Sequence, residues 1–131
     1  MGMPAAKQGD QVVGVCTHTV MVPSPSGPVP TPLPHPFAGM LNGSLSTDVM
    51  IGGMPAATLG SMADNMPPHF PTPPGTSFVV PPTNKATINK GSATVMINKK
   101  PAARMGDTAI TCSEVPTPAN VIAAGNVIIG G

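Results

Sequence analysis

Short β-branched runs alternate with turn residues along this chain, and no stretch sustains a 3.6-residue apolar period. The clearest runs are Asp48-Val49-Met50-Ile51, Thr94-Val95-Met96-Ile97 and Asn126-Val127-Ile128-Ile129. The first two lead into the two-residue connections Gly52-Gly53 and Asn98-Lys99, which predict tight hairpins of the primed-turn kind. Ala86-Thr87-Ile88-Asn89 and Ala93-Thr94-Val95-Met96 predict another hairpin, turning near Lys90-Gly91. The expectation is an all-β chain with little or no helix.

The segments downstream of these runs repeat as well. Met3-Pro4-Ala5-Ala6-Lys7-Gln8-Gly9-Asp10 recurs as Met54-Pro55-Ala56-Ala57-Thr58-Leu59-Gly60-Ser61, and again as Lys100-Pro101-Ala102-Ala103-Arg104-Met105-Gly106-Asp107. The three copies share Pro-Ala-Ala-x-x-Gly. Each returning strand would then carry the Pro-Ala-Ala, with the proline at an edge or at a strand's first residue. The first copy has no leading strand, whereas Asn126 to Gly131 has the leading pattern and no partner of its own. The economical topology pairs the two ends. Three hairpins close a ring, one of them split between the termini, with pseudo-threefold symmetry and adjacent chain ends.

Composition changes the picture in two ways. The chain has 19 Pro and 15 Gly among 131 residues, a fraction near that of disordered chains. Its 40% hydrophobic and 8% charged residues point instead to an ordered, turn-dense domain, read as one unit over residues 1–131. With Phe37, Phe70 and Phe78 as the only aromatics, Val, Ile, Met and Ala must fill the interior, and such a core would gain from a staple. The stretches from Pro23 to Pro36 and from Pro67 to Pro82 predict extended polyproline-like arms that wrap the hairpins. A net charge of +1 and the lack of a basic, aromatic-interleaved stripe leave nucleic-acid binding without a footprint. No apolar run reaches the length of a membrane span, and no signal peptide or complete myristoylation motif is expected. The chain would be made in the cytoplasm and carried out by some machine.

The repeat register organises the candidate metal ligands. His18 lies fourteen residues after Pro4, His69 fourteen after Pro55, and Cys112 eleven after Pro101. Threefold symmetry would bring these side chains toward one axis, with His35 available as a fourth. Three imidazoles and a thiolate form a closed tetrahedral set suited to structural zinc, one per chain, with no open position for catalysis. Cys16 competes: two residues from His18, it shares that residue's strand face and could replace His35, pair with Cys112, or stay a buried thiol. No catalytic residues are assigned. Asp10, Asp48, Asp64, Asp107 and Glu114 are the only carboxylates, the glycine positions lack a phosphate-loop Lys-Ser/Thr, and Arg104 with Asp107 reads as a local turn pair.

Lys100 to Asp107 resembles the motif that names the PAAR-repeat proteins. Met3 to Asp10 matches with Lys7 in place of Arg, and the second copy departs at Thr58 and Ser61. The stretch from Cys16 through Pro32 is similar to a PAAR-like branch found in injection-system clusters. The resemblance implies a sharp cone of short strands closed by zinc near its vertex, with ligands at His18, His35, His69 and Cys112. It implies a piercing tip whose base caps a trimeric β-helical spike (VgrG-like) in type VI secretion systems, phage-like tails or extracellular injection particles. Contact with a target membrane is transient, delivery is outside the cell or into a target cell, and any cargo is held non-covalently on a bare tip. The alternatives are a metal-free proline-rich interaction module or effector adaptor, and a small thiol enzyme using Cys112 or Cys16.

Overall fold

The three Pro-Ala-Ala segments meet at a point. In this computed structural model, which describes residues 2–66, 68–71, 73–114 and 118–130, the Ala6 amide donates to the Ala103 carbonyl, Ala57 to Ala6, and Ala103 to Ala57. Each bond is 3.0 Å long, and together they run in a closed circle. A second circle runs in the opposite sense, with Gln8 donating to Pro55, Leu59 to Pro101 and Met105 to Pro4. Only a small side chain fits beside such crowded backbones, and Ala6, Ala57 and Ala103 are completely buried. At about 1 kcal/mol net per bond, the two circles outweigh any single packing contact nearby.

Among the described residues, thirteen strands carry this centre. They are β1 (Met3–Pro4), β2 (Gln11–Val22), β3 (Val29–Gly43), β4 (Met50–Ile51) and β5 (Met54–Pro55). Then come β6 (Met62–Asn65), β7 (Ser77–Phe78), β8 (Lys85–Ile88) and β9 (Met96–Ile97). The chain finishes with β10 (Lys100–Pro101), β11 (Thr108–Ile110), β12 (Pro118–Ile122) and β13 (Ile128–Ile129). No helix occurs among the described residues, and so none is long and apolar enough to cross a membrane.

On one side of the alanine centre stand three antiparallel hairpins, β4–β5, β9–β10 and the split pair β1–β13, in which Met3 faces Ile129 and Pro4 faces Ile128. The expected closure of the ring by the two chain ends is therefore present. Gly52 and Gly53 have φ of 59° and 84°, and Asn98 and Lys99 have 53° and 68°, the two positive values that a primed turn requires. Ile51, Ile97 and Ile129 point inward onto Ala5, Ala56 and Ala102 to form a small threefold core. Met50, Met96 and Ile128 point outward from the same strands.

On the other side, β2, β3, β6, β8, β11 and β12 close into a six-stranded barrel, with β7 added to the far end of β2. Its core runs from Ala6, Ala57 and Ala103 through Val12, Phe37, Leu41, Ile88 and Val121 to Cys16. Each repeat enters the barrel through one turn. The Asp10 carboxylate accepts from the Lys7 amide, the Ser61 hydroxyl from Thr58, and the Asp107 carboxylate from Arg104, at 2.9–3.0 Å. Ser61 thus does the work of the aspartate in the degenerate copy. Gly9, Gly60 and Gly106 sit at φ of 91°, 92° and 89° in these turns, which explains why Gly recurs at all three.

Two expectations need correction. The Pro23 to Pro36 stretch is not a wrapping polyproline arm: from Val29 it is the first half of β3, paired residue by residue with β2 from Val22 to Gln11. Its prolines fall on alternate positions, Pro30, Pro32, Pro34 and Pro36, all facing solvent. The intervening residues can donate to β2, while the amides that proline lacks would have pointed away from β2, on the side where β6 pairs only with Gly39–Gly43. Nor do Ala86–Asn89 and Ala93–Met96 form a hairpin. β8 pairs with β6 and β11, and the chain then crosses to the base, where the Ser92 amide donates to Ala102 and Gly91 lies so close to Pro101 that a Cβ would be 2.8 Å from it. The Pro67–Pro82 arm contributes β7, while Pro67 and Thr72 lie outside the described residues.

A Cβ at Gly106 would meet nothing within 4 Å, so Gly106→Ala isolates the cost of the left-handed backbone, about 1–2 kcal/mol. Asp107→Ala, which removes a buried cap, should cost more, about 2–3 kcal/mol. Gly43→Ala should be neutral within about 0.5 kcal/mol. Urea melts of the three variants check that order.

Candidate metal centre

Four separate segments converge at the end of the barrel away from the alanine centre. His18 follows Gln11, the first residue of β2, by roughly 20 Å of strand. Cys16, His18 and Val20 share the inward face of β2, and all three are buried. His35 enters from β3, where it lies opposite Cys16 in register. His69 enters from the segment after β6, its amide donating to the Asn84 side chain at 2.7 Å. Cys112 follows β11 and is half-buried.

The structure brings four of the five ligand candidates into one metal-sized group. Donor atoms of Cys16, His18, His69 and Cys112 all lie within 4.8 Å of one another. His35 is not among those four, yet its ring centre is 5.4 Å from that of His18 and 5.6 Å from that of His69, against 5.0 Å between His18 and His69. Phe37 and Phe78 close over the imidazoles.

The ring nitrogens are sorted by what they face. Nδ1 of His35 lies 2.9 Å from the Leu33 carbonyl, Nδ1 of His69 lies 3.2 Å from the Asn65 amide nitrogen, and Nδ1 of His18 lies 3.8 Å from the Glu114 carboxylate. Nε2 of His18 is 3.5 Å from the Cys112 sulfur, and Nε2 of His69 is buried without any hydrogen-bond partner. The Asn65 carbonyl oxygen accepts from the Ala38 amide, so the nitrogen of that side chain faces His69 Nδ1 and the His69 proton falls on the orphaned Nε2. Imidazoles that turn one nitrogen inward and anchor the other on a carbonyl, amide or carboxylate have the arrangement found around metal ions.

The two sulfurs have opposite tendencies. They lie 3.9 Å apart. Its hydrogen bond with Cys16, followed by that with His18, holds the Cys112 thiol down to about 4, against the opposing effect of burial. The same sulfur–sulfur contact, reinforced by burial, pushes the Cys16 thiol far above the ordinary thiol range. The contact thus favours ionisation at Cys112 over Cys16. Burial lowers the His35 and His69 rings below the ordinary imidazole value, which keeps them neutral and able to donate a lone pair.

These residues fit a metal ion. Three imidazoles bound through nitrogen to one tetrahedral ion have ring centres about 5 Å apart, and a bound thiolate lies about 3.5 Å from each ligating nitrogen. The orphaned Nε2 of His69 acquires a partner if an ion replaces its proton. A cavity of about 210 Å³ opens beside His35 and His69, lined also by Met66 and Phe70. The types of the ligands were visible in the sequence. The outer partners Leu33, Asn65, Asn84 and Glu114 were not, because tertiary pairing alone brings them there.

Compared with known families, the chain matches the family model described as PAAR motif, over residues 21–112 and again over residues 80–131. No curated protein matches it.

In metal-free protein, iodoacetamide should label Cys112 at a rate that holds from about pH 8 to about pH 5 and falls through about pH 4, while Cys16 stays unlabelled. For stability, the Cys112 contribution is complete above the unfolded thiol's pKa and is lost as pH falls through about 4. Peptide mapping of the labelled chain reads both sites.

Proposed function

We propose, from the premise that this chain belongs to the PAAR-motif family, that it is the piercing tip capping the trimeric β-helical spike of a contractile injection apparatus, and that one structural zinc closes its distal end. The observation that carries the reading is the ring of three equivalent hairpins around the alanine centre. A single chain with pseudo-threefold symmetry can present one hairpin to each subunit of a threefold trimer. Met50, Met96 and Ile128 occupy equivalent outward places on the three hairpins, each more than half exposed, and Pro55, Pro101 and Pro4 lie across from them. Such a repeated apolar girdle suits contact with a threefold partner. Type VI secretion, a phage-like tail or an extracellular particle would each supply such a spike.

For the zinc, the proposed ligands are His18, His35, His69 and Cys112. Only one of the two sulfurs ionises readily, which favours three imidazoles with one thiolate and leaves Cys16 to donate its S–H to the Cys112 sulfur. The spacing of the three rings is compatible with His35 as a ligand, while the donor atoms already within 4.8 Å of one another are those of Cys16, His18, His69 and Cys112. Zinc held by four side chains cross-links β2, β3 and the segments carrying His69 and Cys112, and it supplies rigidity, with no open position for a substrate. The role is structural.

The test is native mass spectrometry of the chain mixed with its trimeric spike. One chain per trimer is expected. Met96→Asp with Ile128→Asp should weaken binding by about thirtyfold or more, whereas Val80→Asp, on the far arm, should leave it unchanged. Three chains per trimer, or binding indifferent to the hairpin variants in folded protein, would overturn the reading.

A further inference from the structure

Cys16 and Cys112 form a dithiol that the zinc reading uses only in part. We propose that these two residues are a disulfide site, and that the bond and the metal are mutually exclusive staples for the same end of the barrel. The sulfurs are 3.9 Å apart in a chain where the two residues are separated by 96 positions. A bond requires the sulfurs to close to about 2 Å.

The backbone is already in place for it. Thr17 donates to the Ser113 hydroxyl at 2.8 Å, Glu114 donates to the Thr17 carbonyl at 2.9 Å, and Thr19 donates to the Glu114 carboxylate at 2.9 Å. These contacts fasten the segment carrying Cys112 alongside β2 without any help from an ion. The Cys16 thiol rests on Thr111 Oγ1 at 3.2 Å, inside the cluster. A bridge across nearly the whole chain removes a large share of the unfolded chain's freedom.

The chemistry is thiol–disulfide exchange with a small-molecule disulfide as oxidant. Cys112 is the more exposed of the pair and attacks first. Its sulfur bonds to one sulfur of the reagent and the other leaves as a thiolate. The Cys16 sulfur, giving up its proton, then attacks the Cys112 sulfur and expels the second thiolate. The two cysteines lose two electrons and two protons, and the reagent becomes two thiols. Once in that bond, Cys112 has no thiolate to offer an ion, so oxidation releases the metal and bound metal slows oxidation. The exclusion rests on the zinc reading, whereas the bond itself needs only the two sulfurs. A chain carried from a reducing to an oxidising compartment would exchange one staple for the other.

The experiment treats the full-length chain with oxidised glutathione, once after chelation and once loaded with zinc. Intact mass, peptide mapping and a zinc-responsive dye give the readouts. Chelated protein should lose the mass of two hydrogens, stay monomeric, yield one peptide pair linking Cys16 to Cys112, and melt above its reduced form. Loaded protein should oxidise at least about tenfold more slowly and release one zinc for each bond formed. Cys16→Ser should stop at a glutathione adduct on Cys112. Chelated wild-type protein that stops at that adduct, or that cross-links between chains, would overturn the disulfide site. Equal oxidation rates in both arms, with zinc retained, would overturn the exclusion. A chain that never takes up zinc would sink the metal reading and leave the disulfide arm to be judged separately.

Discussion

Two opposed circles of backbone hydrogen bonds among three Pro-Ala-Ala segments set the geometry on which everything else in this molecule depends. Each segment serves its neighbours twice, through an alanine amide and a proline carbonyl, so no copy can be satisfied alone. The first alanine of each copy faces the small base core with Ile51, Ile97 and Ile129, and the second faces the barrel. Proline contributes by what it lacks: it makes no demand for an acceptor in a crowded place, and its carbonyl is free to bind the next copy. Glycine recurs because the chain must turn away from the axis at once.

From that centre the barrel rises with few polar groups and little aromatic mass. Alanines dominate its core, and small side chains limit how much surface each strand can bury. The far end is where this economy runs out. There the interior holds three histidines and two cysteines where apolar side chains would otherwise sit, with Nε2 of His69 left without a hydrogen-bond partner. A buried polar cluster of that kind destabilises the fold unless something satisfies it. A bound ion would satisfy it and cross-link strands that are otherwise joined by long hairpins, so that hydrogen bonds close the base and coordination would close the vertex. Glu114, Leu33 and Asn65 surround the cluster as anchors and orient its rings.

The base was legible in the sequence because its symmetry is written as repetition. Equivalent backbone positions need equivalent residues, so Pro-Ala-Ala-x-x-Gly appears three times and the unpaired run at Asn126 finds its partner at Met3. Ser61 shows how far that logic stretches: it replaces an aspartate in sequence and keeps its hydrogen bond. The barrel was much less legible. Alternate prolines from Pro30 to Pro36 imitate a polyproline arm, and only the pairing with β2 reveals that their missing amides point to the other side of the strand. For the site, spacing from the motif proline brought His18, His69 and Cys112 into one set. It could not choose between His35 and Cys16, because these two lie opposite each other across β2 and β3 and both reach the same space.

With coordination at the vertex and hydrogen bonds at the base, loss of the ion should loosen one end and spare the other. The most direct measurement is the zinc content of the purified chain by elemental analysis, paired with thermal melts before and after strong chelation. About one zinc per chain, and a loss of more than about 10 °C in melting temperature when it is removed, is the result expected of a structural site. A chain that contains no metal and melts cooperatively at the same temperature with or without chelator would contradict it.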